Sequence, residues 1–235
     1  MTILSKATTL VSSLLAMNST TSTPKEYIEL EIIEEKTVTP DIVIRPGEYP
    51  NKPGKRVYIN PASLSIPDDI PIHTDENGTY IHEYDINKKL SLAIVRKLKA
   101  LGVDAELQLA SSKSQDLNSA GRIAKATGTK AYLSVHHDCY NGNAKGYHFI
   151  TNEGDTDATL AQRLSESIAN GAVPTRANAT NNGYIGELNQ TGDIINILGE
   201  FGFFDNLEEL QNIISDEQVD YVSTQIANEL AIILK

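Results

Sequence analysis

The chain has little of several residue types that define particular classes of protein. Its 235 residues include one cysteine, two methionines and no tryptophan. A single cysteine, Cys139, excludes an intrachain disulfide and a multi-cysteine zinc ribbon, and we expect it to be a small buried side chain. No apolar run approaches the roughly 18 residues that a helix needs to cross a bilayer. The sequence therefore predicts a globular protein without a membrane span.

Positive charge is also scarce. Lysine and arginine number 20 against 31 aspartates and glutamates, which gives a formal net charge of −11. Proteins that bind nucleic acid need a basic surface to neutralise phosphates, so this balance argues against that class. Apolar residues at 40% and charged residues at 22% are typical of globular proteins. The length predicts one or two domains.

The first 52 residues differ in pattern from the rest. Residues 1–19 loosely resemble a signal peptide, but the apolar run is short and diluted by serine and threonine, which favours a segment that is not cleaved. Alternating apolar and acidic residues predict a strand at 27–32, and an apolar run indicates a second at 41–45. Prolines and glycines between Pro46 and Gly54 indicate a boundary near residue 52. We therefore expect a small N-terminal arm or linker with β character, 1–52, followed by a larger domain, 53–235.

Strand and helix patterns alternate after this boundary. The predicted strands are 57–60, 103–109, 131–135, 146–150 and 194–201. The predicted helices are 83–101, 116–127, one that includes Leu160, Leu164 and Ile168, and a last helix opened by a capping box of Ser215 and Gln218. This alternation predicts an α/β fold with a mostly parallel sheet and helices on both faces. Functional sites in such sheets form at the carboxyl ends of the strands.

Polar side chains stand at several of these strand ends. His136 and His137 follow the strand at 131–135 and point to opposite sides, so only one of them can face a given site. Glu200 interrupts an apolar strand, where a carboxylate is costly unless it is paired, hydrated or near a metal. Glu83 begins a helix, where an acidic side chain also stabilises the positive end of the helix dipole. From the residues alone, a solvated Glu200 and a helix-stabilising Glu83 stay open as alternatives.

Five stretches of the sequence resemble the zinc-dependent N-acetylmuramoyl-L-alanine amidases of bacterial autolysins and phage endolysins. Val57-Tyr58-Ile59-Asn60-Pro61 is similar to the first strand of that family, and Glu83-Tyr84-Asp85-Ile86-Asn87 to its glutamate-led helix start. Ser134-Val135-His136-His137-Asp138 and the later Ala144-Lys145-Gly146-Tyr147 resemble a strand end and the glycine-led strand after it. Glu200-Phe201-Gly202-Phe203-Phe204-Asp205-Asn206 resembles the signature Glu-x-Gly-Phe-x-x-Asn. The resemblance covers residues 55–235.

This resemblance implies a function and a set of site residues. Glu83 and His136 would bind Zn²⁺, and Glu200 would be the catalytic carboxylate. The reaction would be hydrolysis of the amide bond between N-acetylmuramic acid and the L-alanine of the stem peptide. The substrate would be peptidoglycan, reached at the bacterial cell wall by a secreted or phage-delivered protein. We expect the N-terminal arm to position or anchor the enzyme, with an assembly partner of its own.

One position departs from the family pattern. The first zinc ligand of the family is a histidine two residues after the proline that ends the first strand, and here that position is Ser63, a poor zinc ligand. His73 is the leading candidate for the third ligand, because the long connection at 62–82 can fold back over the site. His82 and His148 are the other candidates.

Two other functions stay open. If no third ligand is supplied, the chain is a catalytically impaired amidase-like module that binds the wall or serves a structural role. A zinc carboxypeptidase acting on other peptides is a weaker alternative, which differs from the amidase in the bond that it cuts.

Overall fold

The computed structural model describes residues 39–50, 56–109, 127–151, 155–169, 179–181, 188 and 194–235. The chain divides into two compact units, Met1–Thr37 and Val38–Lys235, and all of the described residues belong to the second unit. The predicted strand at 27–32 and nearly all of the predicted helix at 116–127 lie outside the described residues. Among the helices that are described, none has the length and apolar character to span a membrane.

The described elements alternate between strands and helices for much of the chain. The strands are β1 (Ile42–Pro46), β2 (Arg56–Tyr58), β3 (His73–Asp75), β4 (Gly78–His82), β5 (Ala105–Leu107), β6 (Ala131–Asp138), β7 (Tyr147–Thr151), β8 (Ala179–Asn181) and β9 (Ile195–Phe203). The helices are α1 (Glu83–Ala100), α2 (Asp155–Ala169), α3 (Leu207–Ile214) and α4 (Asp216–Leu234).

Six of these strands form the main sheet, in the order β5-β1-β6-β9-β7-β8. The pairs β5–β1, β1–β6 and β6–β9 are parallel, whereas β7 runs antiparallel to β9. A large apolar cluster joins the sheet to α1, α2 and α4 through Ile44, Leu133, Ile94, Leu164 and Ile226. The prediction of an α/β fold with a mostly parallel sheet flanked by helices is confirmed.

The structure corrects the predicted boundary near residue 52. Strand β1 is an inner strand of the main sheet, where it pairs with both β5 and β6, and its Ile42 and Ile44 are fully buried. The segment at 57–60 overlaps β2, which belongs to a separate antiparallel sheet, so its assignment as the first strand of the parallel sheet is wrong. Pro46 and Gly47 end a buried strand rather than begin a linker, which is why the local pattern is misleading.

The connection at 62–82 contains secondary structure of its own. Its β3 and β4 form the small sheet β2-β4-β3, and β4 leads directly into α1. Ile81 of this sheet and Ile86 of α1 belong to a second apolar cluster. Phe204 and Ile213, which follow β9, belong to the same cluster. The small sheet therefore connects the start of α1 to the chain that follows β9.

Several local predictions can be compared with the structure. Gly102 follows the end of α1 with a φ of +78°, as expected of a glycine that terminates a helix. Ser215 caps α4 by accepting the backbone N–H of Gln218. The side chain of Gln218 donates to the hydroxyl of Tyr147 instead of returning to the cap, so only half of the predicted capping box forms. Cys139 is exposed, so its predicted burial is wrong.

The position of β1 predicts where the chain can be truncated. A protein that begins at Val38 is expected to keep a cooperative thermal transition, measured by circular dichroism. A protein that begins at residue 53 is expected to lose it, because β5 and β6 then lose their shared partner. In the full chain, Ile44→Ala should lower the free energy of unfolding by about 2–5 kcal/mol. An unchanged transition in the 53–235 protein would show that β1 is dispensable.

Candidate metal centre

Glu48, Glu83 and His136 form a buried group that offers three ligand atoms for a metal ion. The ligand atoms lie within 4.8 Å of one another. Glu48 follows β1, Glu83 is the first residue of α1, and His136 lies near the end of β6. Each of the three residues is 5% exposed or less. The sheet edge therefore brings two carboxylates and one imidazole together from three separate elements.

Gly47 makes this arrangement sterically feasible. Its N–H donates to the carbonyl of Val135 at 2.7 Å, which fixes the turn after β1 beside β6. A Cβ atom at this position would lie 2.1 Å from Nε2 of His136, so the imidazole lies directly against the glycine. The next residue, Glu48, has a φ of +64° and is the one non-glycine residue with positive φ in the described part of the chain. Such a conformation is costly for a residue with a side chain and is typical of functional sites.

The contact between Glu83 and His136 fits two ligands of a single ion. Oε1 of Glu83 lies 3.2 Å from Nδ1 of His136. Two ligands of a tetrahedral zinc ion, with bonds of roughly 2.0–2.2 Å, are separated by about 3.3–3.6 Å. Zinc also accepts carboxylate oxygen and imidazole nitrogen, and catalytic sites use three protein ligands. The residues present therefore fit a zinc ion.

Asn87 connects all three segments that carry the group. It is fully buried and lies one turn after Glu83 on α1. Its Nδ2 donates to the carbonyl of Gly47 at 3.1 Å and to Oε1 of Glu83 at 3.1 Å. Its Oδ1 lies 2.7 Å from Nδ1 of His137. A single amide thus fixes the turn before Glu48, the carboxylate of Glu83 and the residue after His136.

His137 supports the centre from the other side of β6. Its backbone N–H donates to Oε1 of Glu83 at 3.3 Å, and its ring contacts Asn87 and Phe201 rather than the metal group. Burial lowers the pKa of His137 to about 3, although the charge of Glu83 opposes this shift. Because the Nδ2 of Asn87 already donates two bonds, its Oδ1 accepts, and Nδ1 of the neutral imidazole carries the proton. The prediction that His136 and His137 point to opposite sides is confirmed.

Glu200 lies beside this group on β9. It pairs with His136 on β6 at one side and with His148 on β7 at the other. Residues paired across neighbouring strands project to the same face of a sheet, so Glu200 shares a face with both histidines. Its side chain is half-buried. His148, another candidate for the third ligand, lies on β7, and β9 separates this strand from β6, which carries His136.

The other residues of the motif at 200–206 have structural roles. Gly202 has a φ of +110°. The side chain of Asn206 caps α3 by accepting two backbone N–H groups of its first turn. Glu209, one turn into α3, accepts 2.7 Å bonds from the backbone N–H groups of Phe203 and Gly146. These contacts fix the end of β9 and the chain before β7, the strands on which Glu200 and His148 lie.

The structure does not bring the predicted third ligand, His73, into the group. Nε2 of His73 lies 2.9 Å from Oδ2 of Asp85, an ion pair when the imidazole is protonated. His82, at the end of β4, is buried against the ring of His73 with centroids 4.6 Å apart. Ser63 lies in a short 3₁₀ turn and donates its hydroxyl to the carbonyl of Asn60. Antiparallel pairing fixes β3 in the small sheet, so the connection does not deliver His73 as expected.

Sequence reasoning misses Glu48, although a signal for it is present. Counted from Pro61, the offset of two residues after the strand-ending proline falls on Ser63. Counted from Pro46, which ends the first strand of the main sheet, the same offset falls on Glu48. The apolar run from Ile42 to Ile44 before a Pro-Gly pair is the available signal. Asn87 stands out in the sequence only as part of a helix start, since its contacts depend on the folded chain.

Replacing Asn87 by aspartate tests its positioning role. The Asn87→Asp variant keeps the size of the side chain and one acceptor but removes both N–H donors and adds charge beside Glu83. We expect zinc affinity, measured by competition with a chelating dye, to fall by about 10–100-fold. Ser91→Ala, also buried and one turn later on α1, is the matched control and should bind zinc normally. Equal affinities for the two variants would contradict the role of Asn87.

A methyl group at Gly47 is expected to displace His136. The Gly47→Ala variant should lose at least about tenfold in zinc affinity, because the added Cβ would overlap the imidazole. Gly102→Ala is the control, since its Cβ meets no atom within 4 Å. That control should cost about 1–2 kcal/mol of stability through its positive φ and leave zinc binding intact. Unchanged zinc binding in Gly47→Ala would show that the ring does not need this space.

Comparison with known proteins agrees with this architecture. Solved structures with similar folds include an N-acetylmuramoyl-L-alanine amidase from Clostridium difficile 630, with a TM-score of 0.60 and 18% identity over 82% of this chain and 96% of that chain. They also include Ami1, an N-acetylmuramyl-L-alanine amidase from Mycobacterium smegmatis, with a TM-score of 0.62 and 16% identity over 82% and 96% of the two chains. The catalytic domain of the CD27L endolysin, which targets Clostridia difficile, has a TM-score of 0.60 and 15% identity over 81% and 96%.

No curated protein matches the chain. A family model described as N-acetylmuramoyl-L-alanine amidase matches residues 42–231. The match begins at the first residue of β1 and ends within α4, so it spans the main sheet, the small sheet and the metal group. The chain belongs to the N-acetylmuramoyl-L-alanine amidase family.

Proposed function

We propose that this amidase hydrolyses peptidoglycan with the help of a zinc ion held by Glu48, Glu83 and His136. The bond cleaved is the amide between the lactyl group of N-acetylmuramic acid and the L-alanine of the stem peptide. The observation that carries the proposal is the buried group of three ligand residues beside Glu200, at an edge of the main sheet. This set keeps the predicted ligands Glu83 and His136 and replaces His73 by Glu48.

Zn²⁺ bound by such a set polarises a carbonyl and lowers the pKa of water, which is the chemistry that amide hydrolysis requires. Glu83 and His136 are held by Asn87 and by the backbone of His137, so these ligands are oriented before an ion arrives. Their orientation lowers the reorganisation needed on binding. The chain thus supplies a preorganised donor set rather than a flexible one.

Glu200 is the residue that moves protons in this proposal. A carboxylate beside the metal group can take a proton from the attacking water and return it to the leaving amine of L-alanine. Water is thereby split between the lactyl carboxylate and the free amine of the peptide. The half-buried position of Glu200 leaves it accessible to substrate while keeping it on the same face as His136.

The cell wall is the place of action that this reaction requires. The proposal includes delivery of the chain to the wall by secretion or by a phage and an anchoring role for residues 1–37. A catalytically impaired wall-binding module is disfavoured, because Glu48 supplies the ligand that Ser63 and His73 do not. A carboxypeptidase would release a terminal amino acid from the stem peptide, whereas an amidase releases the whole peptide.

Glu200→Gln is expected to keep the fold and zinc affinity and to lower turnover by about 100-fold or more, since an amide cannot accept a proton from water. The measurement is mass spectrometry of the peptides released from purified cell walls. Lys145→Met is a control on the exposed loop before β7, where Lys145 pairs with Glu208, and should cleave normally. Wild-type rates from Glu200→Gln would exclude this residue as the base. Release of terminal amino acids alone would identify a carboxypeptidase.

A further inference from the structure

We propose that Glu48 sets the metal selectivity of the centre. With glutamate at this position, the ratio of the affinity for Zn²⁺ to the affinity for a harder divalent ion such as Mn²⁺ is smaller than it would be with histidine. This inference deepens the proposed function, because it concerns the same metal centre. The family resemblance implies histidine at the offset where this chain has Glu48. The centre therefore has two carboxylates and one imidazole in place of one carboxylate and two imidazoles.

The exchange of donor type has a defined chemical consequence. Carboxylate oxygens suit Mn²⁺ and Mg²⁺, whereas imidazole nitrogen suits zinc and other later transition metals. The order of intrinsic affinity still places Zn²⁺ above Mn²⁺ for one site. With a second carboxylate, the formal charge of the donor set is −2 instead of −1 when His136 is neutral. The exchange of imidazole for carboxylate therefore favours the harder ion relative to its binding at a centre with two imidazoles, whereas the added charge strengthens the binding of both divalent ions.

The backbone holds Glu48 in a position that makes it a ligand rather than a surface carboxylate. Glu48 is 5% exposed and has a φ of +64° in the turn that follows β1. Both backbone polar groups of the preceding Gly47 are hydrogen-bonded: its N–H donates to the carbonyl of Val135, and its carbonyl accepts from the side chain of Asn87. An unfavourable backbone conformation persists only where its surroundings impose it. The rigid turn therefore places this particular carboxylate beside Glu83 and His136.

The test compares affinities for two metals in the full chain after its metal has been removed. Zinc affinity is measured by competition with a chelating dye, and manganese affinity by electron paramagnetic resonance of the free ion. Glu48→His should increase the ratio of zinc to manganese affinity by about tenfold or more. Glu48→Gln, which keeps the size and one oxygen donor but removes the charge, should weaken manganese more than zinc. Glu106→His, on the exposed side of the edge strand β5, adds a histidine elsewhere and should leave the ratio unchanged.

An unchanged ratio in Glu48→His, or equal weakening of both metals in Glu48→Gln, would overturn this inference. Should Glu48→His fail to fold by circular dichroism, Glu48→Gln decides the matter alone. A parent chain that binds neither zinc nor manganese would also overturn this inference. Cleavage of cell walls by the parent chain is assayed separately. If the parent cleaves the muramoyl amide but Glu48→His leaves the ratio of zinc to manganese affinity unchanged, the proposed function stands and the inference about selectivity falls. If Glu48→His shifts the ratio but the parent does not cleave, only the inference about metal selectivity stands.

Discussion

The centre depends on the hydrogen bonds of one buried amide, that of Asn87. Two carboxylates held close together in a buried site repel each other and lose solvation, so the fold must fix them by other contacts. Asn87 donates to Glu83 directly and to the carbonyl of Gly47, the residue before Glu48. It also accepts a hydrogen bond from the imidazole of His137. A neutral side chain achieves this without adding a charge that would compete with a metal ion for the carboxylates.

Two apolar clusters hold the elements that carry these polar residues. The larger one fixes β1, β6 and β9 through their helix-facing side chains, such as Ile44, Val135 and Phe201. The smaller one joins Ile81 of β4 and Ile86 of α1 to Phe204 after β9. Glu83 lies between Ile81 and Ile86 in the sequence, and Glu200 lies shortly before Phe204, so the same cluster adjoins both glutamates. The insertion that contains β2, β3 and β4 thus stabilises the geometry of the site from outside the main sheet.

The elements predicted well from the sequence are those with long, regular patterns. The apolar spacing of Ile86, Leu90, Ile94 and Leu98 predicts α1 to within a residue or two, and the apolar run before His136 predicts β6. The strand that carries Glu200 is predicted at 194–201 and observed at Ile195–Phe203, so the strand is found but its end lies two residues later than predicted. Contacts between distant segments are not predictable in this way, because no local pattern reveals that Asn87 meets both Gly47 and His137. The roles proposed for Glu83, His136 and Glu200 remain predictions that the geometry supports.

The error at β1 shows how a non-local pairing decides the interpretation of a local signal. Two short apolar runs of this chain precede a proline, Pro46 in one case and Pro61 in the other. Local sequence does not distinguish an inner strand of a parallel sheet from a strand of a small antiparallel sheet, because the difference lies in the partners. Once the pairing of β1 with β5 and β6 is known, the residue at the ligand offset is Glu48 rather than Ser63. Under the proposed function, the departure of this chain from its family is therefore a substituted ligand rather than a missing one, because Glu48 is one of the three residues that could hold a metal ion.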